Sequence, residues 1–342
     1  MDTLVLEEAP FIDDLLPFTA TRPVIDIRIG ILTLREKWQR LLPQNGSANK
    51  TGTTLTLPAN ILPTRALADL IKKEGSAAAT TARRIRYPWD IFLHNAEALV
   101  DDFHLITTGR RSQPIPASVL TLEPAAIFIE EGARLHHCTL NASTGPIYIG
   151  RNTEIMEGAL IRGPFALCEG SVVKMGTKIY GATTIGPYST AGGEIKNSVI
   201  FGYSNKGHDG YLGDSVIGEW CNLGAGTSSS NLKNNAASIK VWRPASKKQI
   251  DAGTKCGLLM GDYSRAAINT SFNTGTVTGI CCNIFGQGLS PRYIPDFAWG
   301  QDGNTRYDWD KALRDIGNWK KLKNQSLTDT EIKALKHIFE QS

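Results

Sequence analysis

One feature of the sequence restricts its fold more than any other: an aliphatic residue recurs at every sixth position over seven repeats. An α-helix repeats every 3.6 residues and a strand every two, so neither explains a period of six. A short fixed period is typical of a solenoid, and a period of six indicates a hexapeptide β-helix. Seven consecutive matches disfavour a chance run within a β-sandwich. The aliphatic positions are Ile149, Ile155, Ile161, Leu167, Val173, Ile179 and Ile185.

Each hexapeptide is expected to form one short strand and one corner of a triangular prism. The aliphatic residue points inward, and a small side chain follows four residues later, with Phe165 as the exception. A glycine such as Gly158 lets the chain turn. We therefore predict a mainly β fold, a left-handed parallel β-helix over residues 120–288. A small divergent α/β region over 1–105 precedes it, and a helical tail over 289–342 follows it.

The period breaks twice, and breaks in a regular scaffold are where function is usually carried. A loop is predicted over residues 202–213, and a second break over 228–248. Between them the phase returns at Ile217 and Leu223. After the second break, the expected inward residues are Ile268, Thr274 and Ile280.

Apolar residues at helical spacing predict three helices in the N-terminal region. The first includes Leu34, the second follows a cap at Thr64 and stops at Gly75, and the third is capped by Asp90. Residues 76–81 are small and featureless, which predicts a linker.

The C-terminal tail is predicted to be helical. Trp309, Leu313 and Ile316 share one helix face, and Thr328 with Glu331 forms a capping box for a final helix. We expect this tail to cover the open end of the prism, where exposed strand edges invite aggregation.

The composition excludes several classes of function. A formal net charge of +4 on 342 residues, with no basic face carrying interleaved aromatics, does not indicate a nucleic-acid partner. The six cysteines follow no C-x-x-C or metal spacing, which indicates reduced thiols. The N-terminus lacks the features of a signal peptide, and no stretch is long enough to span a membrane. We therefore expect a cytoplasmic protein without a membrane partner.

The first break contains residues suited to acid–base chemistry. A neutral imidazole at His208 is able to take a proton from an amine nucleophile, and Glu194 is placed to fix its tautomer. Lys196, and Lys178 one coil earlier, offer positive charge to a phosphate. Tyr211 lies in the same stretch. The alternative from composition alone is a set of ordinary surface polar residues.

Residues 146–232 resemble the acetyltransferase half of the bifunctional enzyme that makes UDP-N-acetylglucosamine. This family joins a glucosamine-1-phosphate acetyltransferase to an N-acetylglucosamine-1-phosphate uridyltransferase. The resemblance is carried by Glu194-Ile-Lys196, by Asn205 to Asp214, and by Cys221 to Thr227. The family's Lys–x11–His–x2–Tyr–x10–Asn spacing is present from Lys196 onward.

The resemblance implies a role for each matching residue. His208 would be the general base on the glucosamine amine, and Glu194 would orient it. Lys196 and Tyr211 would hold the sugar phosphate, and Lys178 stands where the family has an arginine, a better bidentate phosphate ligand.

Three further residues receive implied roles. Asn222 would contact the sugar or the acyl group, and Ala225 would lie where acetyl-CoA binds, with the acyl carbonyl held by backbone N–H donors. Asn231 matches another substrate contact, although Leu232 replaces the tyrosine expected beside it. No metal is expected at this site.

The N-terminal segments Leu15 to Pro23 and Asp26 to Trp38 resemble a group of proteins related to sugar nucleotidyltransferases, in which a divergent nucleotidyltransferase-like region precedes this β-helix. Nucleotidyl transfer needs a glycine-rich phosphate loop and carboxylates for Mg²⁺. Residues 5–14 contain no glycine. A shortened or degenerate domain is therefore predicted, with Mg²⁺ required only if this region is active.

Three functions follow as hypotheses. The first is an N-acyltransferase that uses acetyl-CoA or another acyl-CoA on an amino-sugar phosphate or nucleotide sugar, as a homotrimer with active sites between prisms. The second is sugar-1-phosphate nucleotidyl transfer by the N-terminal region, and the third is a non-catalytic prism that binds a sugar nucleotide. A γ-class carbonic anhydrase is disfavoured, because adjacent His136 and His137 point to opposite faces of a strand and His208 is distant in sequence.

Overall fold

Three long parallel sheets build the centre of the molecule and confirm the predicted β-helix. The computed structural model describes residues 3–43 and 54–342. Consecutive strands pass from one sheet to the next, so each coil adds one strand to each face of a prism. We call the faces A, B and C in the order in which each coil meets them, and we name each edge after the faces it joins.

The strands of the three faces are short and stack in parallel. Face A consists of Leu120–Leu122, Thr139–Asn141, Leu160–Arg162, Lys178–Tyr180, Glu194–Lys196 and Tyr211–Gly213, and the pair Ser228–Ser229 and Ser271–Phe272 continues its line. Face B consists of Ile127–Ile129, Ile147–Ile149, Phe165–Leu167, Thr183–Ile185, Val199–Ile200, Val216–Ile217, Leu259–Met260, Val277–Thr278 and Tyr293–Ile294. Face C consists of Arg134–Leu135, Glu154–Ile155, Val172–Val173, Thr190–Ala191, Asn205–Lys206, Asn222–Leu223, Arg265–Ala266 and Asn283–Ile284.

The inward column predicted from the period of six is confirmed. All seven predicted aliphatic residues are at most 2% exposed, and they belong to one continuous core. The small residues that follow them are buried at the corners, where the Thr153 hydroxyl donates to the Gly150 carbonyl at 2.8 Å. Such bonds satisfy corner carbonyls that the strand ladders leave free.

The loop predicted over residues 202–213 is wrong, because the prism continues through it with the face C strand Asn205–Lys206 and the face A strand Tyr211–Gly213. The period slips there because the coils shorten. Lys178 follows its ladder neighbour Leu160 by 18 residues, and Glu194 follows Lys178 by only 16. Tyr211 follows Glu194 by 17. Omitting a residue at a corner changes the sequence phase without moving the inward column.

The second predicted break is a true excursion that extends past residue 248. The chain leaves the prism after Ser229 and returns at Leu259. The excursion carries an antiparallel hairpin of Lys240–Arg243 and Lys248–Asp251. The inward residues expected beyond it are wrong in phase, since Ile268 is 69% exposed. The buried residues that continue the column are Met260, Ala266, Phe272, Thr278 and Ile284.

The N-terminal region forms four α-helices and one pair of parallel strands within its described residues. The helices are α1 (Leu34–Leu41), α2 (Arg65–Glu74), α3 (Asp90–Leu93) and α4 (Asn95–Thr107), and the strands are Thr3–Glu7 and Thr54–Pro58. Single 3₁₀ turns occur at Ala9–Phe11, Asp13–Leu15 and Val24–Asp26 in this region, and at Pro124–Ala126 at the start of the prism.

The predicted helices are confirmed in outline. Thr64 caps α2, and Gly75 ends it with a φ of +69°. The third predicted helix is divided at His94 into α3 and α4. The predicted cap at Asp90 is wrong, because Trp89 is the N-cap and Asp90 is the first residue of α3. The linker predicted at 76–81 is wrong, because Gly75–Thr81 forms a 3₁₀ helix with Ala78 and Ala79 buried.

The N-terminal region packs on face B. Its Leu15, Phe18 and Val24 share one apolar cluster with Val199 and Val216, which point outward from face B. Two buried hydrogen bonds cross the same interface: the Thr184 hydroxyl donates to the Gly30 carbonyl, and the Asn95 amide donates to the Ala182 carbonyl. Within the N-terminal region, the Gly30 and Ile31 backbone amides donate to the Asn95 and Asp102 side chains. The Lys37 ammonium pairs with the buried Asp102 carboxylate. Face B is therefore a covered face.

The C-terminal tail contains α5 (Trp309–Lys321) and α6 (Asp329–Gln341), and the predicted capping box at Thr328 and Glu331 is confirmed. The tail packs along the B–C edge rather than across the end of the prism. It shares an apolar cluster there with Trp220, Tyr263 and Phe297.

The six cysteines are free and buried. Burial raises the pKa of every one of these thiols, so they remain protonated and unreactive. Among the described residues, no helix is both long and apolar enough to cross a membrane.

Candidate active site

Three of the predicted site residues stand in one row on face A. Lys178, Glu194 and Tyr211 are ladder neighbours on three consecutive coils. Each begins a three-residue strand whose middle residue points into the core, so the residues on either side point outward. Residues far apart in the chain are thus brought side by side by the stacking of coils.

A second row runs beside the first. Tyr180, Lys196 and Gly213 are ladder neighbours, and the Lys196 ammonium lies 6.0 Å from the Tyr180 ring centre. The Tyr180 hydroxyl donates to the Glu194 carboxylate at 2.5 Å, which links the two rows. Gly213 leaves space for a neighbour, since a Cβ there would lie 2.2 Å from the Tyr211 hydroxyl oxygen.

Asn231 joins this group from the start of the excursion. Its amide nitrogen donates to the Tyr211 hydroxyl at 3.1 Å and also to the Asp214 carboxylate. Asp214 accepts a further bond from the Asn197 amide at 2.7 Å. Burial, together with the nearby Asp214 charge, raises the pKa of Tyr211 to about 12. Tyr211 is therefore a neutral hydrogen-bonding group at physiological pH.

His208 lies at the C–A edge, in the corner between the strand Asn205–Lys206 and Tyr211. Its side chain is exposed. No hydrogen bond joins His208 to Glu194 within residues 3–43 and 54–342, and the Glu194 carboxylate accepts from the Tyr180 hydroxyl instead. The predicted orienting role of Glu194 is therefore not visible as a direct contact.

Asn222 and Ala225 lie one coil further along. Asn222 is half-buried on face C, in register with Asn205, and so is separated from the face A rows by an edge. Ala225 lies in the C–A corner above the His208 corner, where its carbonyl accepts the Asn269 backbone N–H at 2.7 Å. The Ala225 N–H has no acceptor among the described residues.

A cavity of about 360 Å³ opens on face A beside the two rows. Leu160, Arg162, Lys178 and Tyr180 line it. The site therefore combines a partly apolar concavity with three cations, Arg162, Lys178 and Lys196, which is suited to an anionic ligand that carries a non-polar surface.

Four polar residues around this site were not singled out from the sequence: Arg162, Tyr180, Lys206 and Asp214. Each has a signal in the coil register. Arg162 and Tyr180 end the strands that contain Leu160 and Lys178. Lys206 occupies an inward position and precedes His208 by two residues, as Leu223 precedes Ala225. With the coil lengths known, all of these positions follow from the repeat.

The fold and these outward rows define a hexapeptide-type β-helix with a polar site on one face. A sequence model of a family described as "Sugar nucleotidyl transferase" matches residues 4–78 and 50–111, within the N-terminal region.

The chain is also similar to several curated proteins. It is 36% identical over 101 residues to the bifunctional protein GlmU of Methanocaldococcus jannaschii, which covers 30% of this chain and 24% of that protein. It is 38% identical over 93 residues to a bifunctional sugar-1-phosphate nucleotidylyltransferase/acetyltransferase of Sulfurisphaera tokodaii, covering 27% and 23%. With the bifunctional protein GlmU of Synechococcus elongatus it shares 28% identity over 223 residues, covering 58% and 45%.

These matches confirm the resemblance to bifunctional nucleotidyltransferase/acetyltransferase proteins. The chain spans between about a quarter and just under half of the length of these curated relatives.

Two solved structures are similar at low identity. The polySia-specific acetyltransferase NeuO matches with 12% identity and a TM-score of 0.29, covering 58% of this chain and 98% of that one. A UDP-N-acetylglucosamine acyltransferase from Campylobacter jejuni matches with 16% identity and a TM-score of 0.21, covering 67% and 96%.

Proposed function

We propose that the chain is an acyl-CoA-dependent N-acyltransferase that acts on an amino-sugar phosphate or nucleotide sugar, and that it resembles glucosamine-1-phosphate acetyltransferase. One observation carries this proposal: Lys178, Glu194 and Tyr211 stand in register on one face, with Lys196 beside them and His208 at the adjoining edge. A relative named as a bifunctional sugar-1-phosphate nucleotidylyltransferase/acetyltransferase supports it.

In this proposal His208 is the general base. The substrate amine attacks the carbonyl carbon of the thioester and forms the C–N bond, while the imidazole takes the proton that the nitrogen loses. The tetrahedral intermediate then expels the CoA thiolate, which takes the proton back from the imidazolium. Glu194 is proposed to contact the substrate or His208 from face A. The hydrogen bond from the Tyr180 hydroxyl holds the Glu194 carboxylate in place.

Face A supplies the anion contacts for the sugar phosphate. Lys196 and Lys178 provide positive charge, and the neutral Tyr211 hydroxyl and the Asn231 amide provide hydrogen bonds. Arg162 adds a planar guanidinium at the cavity wall, able to bind a phosphate through two parallel bonds. The Arg162 guanidinium thus supplies the bidentate phosphate contact that Lys178, in place of an arginine, makes less well.

Acetyl-CoA, or another acyl-CoA, is the proposed cosubstrate, and the C–A edge fits it. The Ala225 N–H has no acceptor within the part of the chain that the structure describes, and it is therefore available to the oxyanion that develops on the thioester. Asn222, on the neighbouring face, is within the same coil as Ala225 and is proposed to contact the acyl group or the sugar.

A homotrimer is part of the proposal. Face B is covered by the N-terminal region and the B–C edge by the tail, whereas face A exposes Leu120, Leu122 and Leu160 at 70%, 50% and 52%. Exposed apolar side chains on one face indicate a contact surface. Packing of face A against a neighbouring prism would enclose the rows and complete the site.

The decisive experiment is a thiol-release assay with acetyl-CoA and glucosamine-1-phosphate. His208→Ala is expected to lower turnover about 100-fold or more, the typical contribution of a general base. His137→Ala is the matched control, because His137 is also exposed at a C–A corner but lies several coils away. Equal turnover in His208→Ala and wild type would discard the base, and no release by wild type would discard the proposed reaction for this pair of substrates.

A second candidate, sugar-1-phosphate nucleotidyl transfer, is favoured by the family model that matches residues 4–111. The structure gives it little support. Two parallel strands are a small part of a nucleotide-binding sheet, and the polar groups of the resembling segment are used in packing. Arg22 pairs with Asp262, and Lys37 pairs with Asp102.

Titration calorimetry with UTP and Mg²⁺ tests this second candidate. Absence of binding heat at millimolar UTP would exclude it. Tight UDP-sugar binding to face A, without thiol release from any acyl-CoA, would instead support a non-catalytic, regulatory prism.

A further inference from the structure

One inward position of the prism holds a lysine instead of an apolar residue. Lys206 is in register with Ala191 on face C and is only 1% exposed. An ammonium group in an apolar column costs free energy unless its hydrogens are bonded. The other inward residues of face C are Leu135, Ile155, Val173, Ala191, Leu223, Ala266 and Ile284.

The contacts of this ammonium point to the candidate site. Lys206 Nζ donates to the His208 carbonyl at 2.5 Å and to the Gly192 carbonyl at 3.3 Å. Gly192 lies two residues before Glu194. One side chain therefore joins the corner that carries the proposed base to the corner that leads into the Glu194 strand.

The two corners are also in direct backbone contact. A Cβ on Gly192 would lie 2.7 Å from the Gly207 carbonyl oxygen, and a Cβ on Gly193 would lie 2.7 Å from the His208 carbonyl oxygen. Gly193 has a φ of +72°, which favours glycine. The glycines at 192 and 193 therefore allow the two corners to approach closely. Lys206 Nζ donates to the Gly192 and His208 carbonyls from inside the prism.

We infer that Lys206 is a positioning residue that holds the exposed His208 in a fixed place beside the strand of Glu194. The inference rests on the proposed function for the roles of His208 and Glu194. The two hydrogen bonds from Lys206 Nζ to the Gly192 and His208 carbonyls, which we call the tether, exist independently of those roles.

The tether is also sensitive to pH. Burial lowers the pKa of Lys206 to about 8, although the charge of Asp209 raises it. Asp209 and His208 are the titratable groups in its own corner. The strands on either side place Thr190, Ala191, Asn222 and Leu223 next to Lys206, and none of these titrates. Above about pH 8 the neutral amine keeps weaker bonds to the same carbonyls.

Backbone amide hydrogen exchange measures the tether without reference to activity. The Glu194 and Gly226 amides donate to the Gly210 and Asp209 carbonyls of the His208 corner. In Lys206→Met these two amides are expected to exchange about tenfold faster, while the Gly176 amide, bonded to the Glu157 carbonyl in an earlier corner, is unchanged. Leu223→Met is the matched control, because it alters the next inward position in the same column. The methionine suits the apolar column, so this variant is expected to fold.

Enzyme assays then test the link to catalysis. Lys206→Met is expected to lower kcat about tenfold with the KM for acetyl-CoA unchanged, and Lys206→Gln, which keeps N–H donors, is expected to restore most of kcat at pH 7. Wild type should lose activity above about pH 8, and both variants should lack this alkaline decline.

Two results would overturn the inference. The first is wild-type exchange at the Glu194 and Gly226 amides in Lys206→Met, and the second is an unchanged pH profile in an active Lys206→Gln. If wild type transfers no acyl group, the proposed function fails, and the exchange measurement alone decides whether the tether exists.

Discussion

Faces A and B are built from the same coils, yet their outward residues differ in kind. On face B, Val199 and Val216 are fully buried beneath the N-terminal region. On face A, the outward residues of the corresponding coils are Glu194, Lys196 and Tyr211. In these coils the inward residues beneath both faces are apolar, namely Ile195, Leu212, Ile200 and Ile217. The outward residues therefore decide which face of a uniform prism receives a partner domain and which presents polar chemistry.

The difference between faces A and B is tested most strongly by placing a charged side chain on the covered face, face B. Val216→Asp is expected to lower the free energy of unfolding by about 4 kcal/mol or more, because the carboxylate is buried without a partner. Urea denaturation measures the effect. Leu322→Asp on the C-terminal tail is the control and should change stability by less than about 0.5 kcal/mol, since Leu322 is 73% exposed and lies outside the proposed contact surface. Equal losses would contradict the assignment of face B as the covered face.

The polar contacts beside face B provide the next largest effect. Asp102→Ala leaves the buried Lys37 ammonium without its partner and also frees the Ile31 and Leu32 amides. The expected loss is about 3 kcal/mol, as for other broken buried pairs. Asp69→Ala removes an exposed partner of Lys72 and should cost about 0.5 kcal/mol at most. A small loss in both variants would show that the network contributes little to docking.

On face A, the corresponding change should affect activity and leave stability nearly unaltered. Tyr180→Phe removes the hydrogen bond to Glu194 and is expected to lower kcat/KM about fivefold, equivalent to roughly 1 kcal/mol. Tyr148→Phe removes an equivalent bond to Glu130 beside face B and should leave kcat/KM unchanged. If both variants lose activity equally, Tyr180 has no special place in the site.

The smallest expected effect concerns acid stability near face B. Burial alone would raise the pKa of Glu130, but hydrogen bonds from Arg110 and Tyr148 lower it below the usual value. A lowered folded-state pKa stabilises the protein above the unfolded value of about 4.3, and this contribution is lost as the pH falls through the folded-state pKa. Glu130→Gln should therefore flatten the acid side of the stability profile by about 1 kcal/mol or less. An acid limb identical to that of wild type would contradict this.

The sequence predicts the prism where the repeat is regular and fails where the coils change length. The inward residues from Ile149 to Ile185 are correct because every coil there adds whole hexapeptides. Beyond Ile185 the period of six is no longer visible in the sequence, because the coils are 16 or 17 residues long and one inward position is a lysine. The residues near Ile268 were placed out of phase because the length of the excursion is not encoded in the local pattern.

The candidate site was predictable in part, for a related reason. Motif spacing brought Lys178, Glu194, Lys196 and Tyr211 together correctly, because ladder stacking converts fixed spacing into proximity. The Tyr180–Glu194 bond and the Lys206 tether depend on coil register and on backbone carbonyls, which no motif displays.

The docking of residues 19–38 on face B affects how the sequence motifs of the N-terminal region are interpreted. Deleting the N-terminal region would uncover an apolar row along the prism, so the region is needed for packing whether or not it binds a nucleotide. A motif such as Thr21–Arg22, which contacts Asp262, is then maintained by its fit to the prism. Persistence of these residues among relatives would trace a shared interface and not a shared reaction.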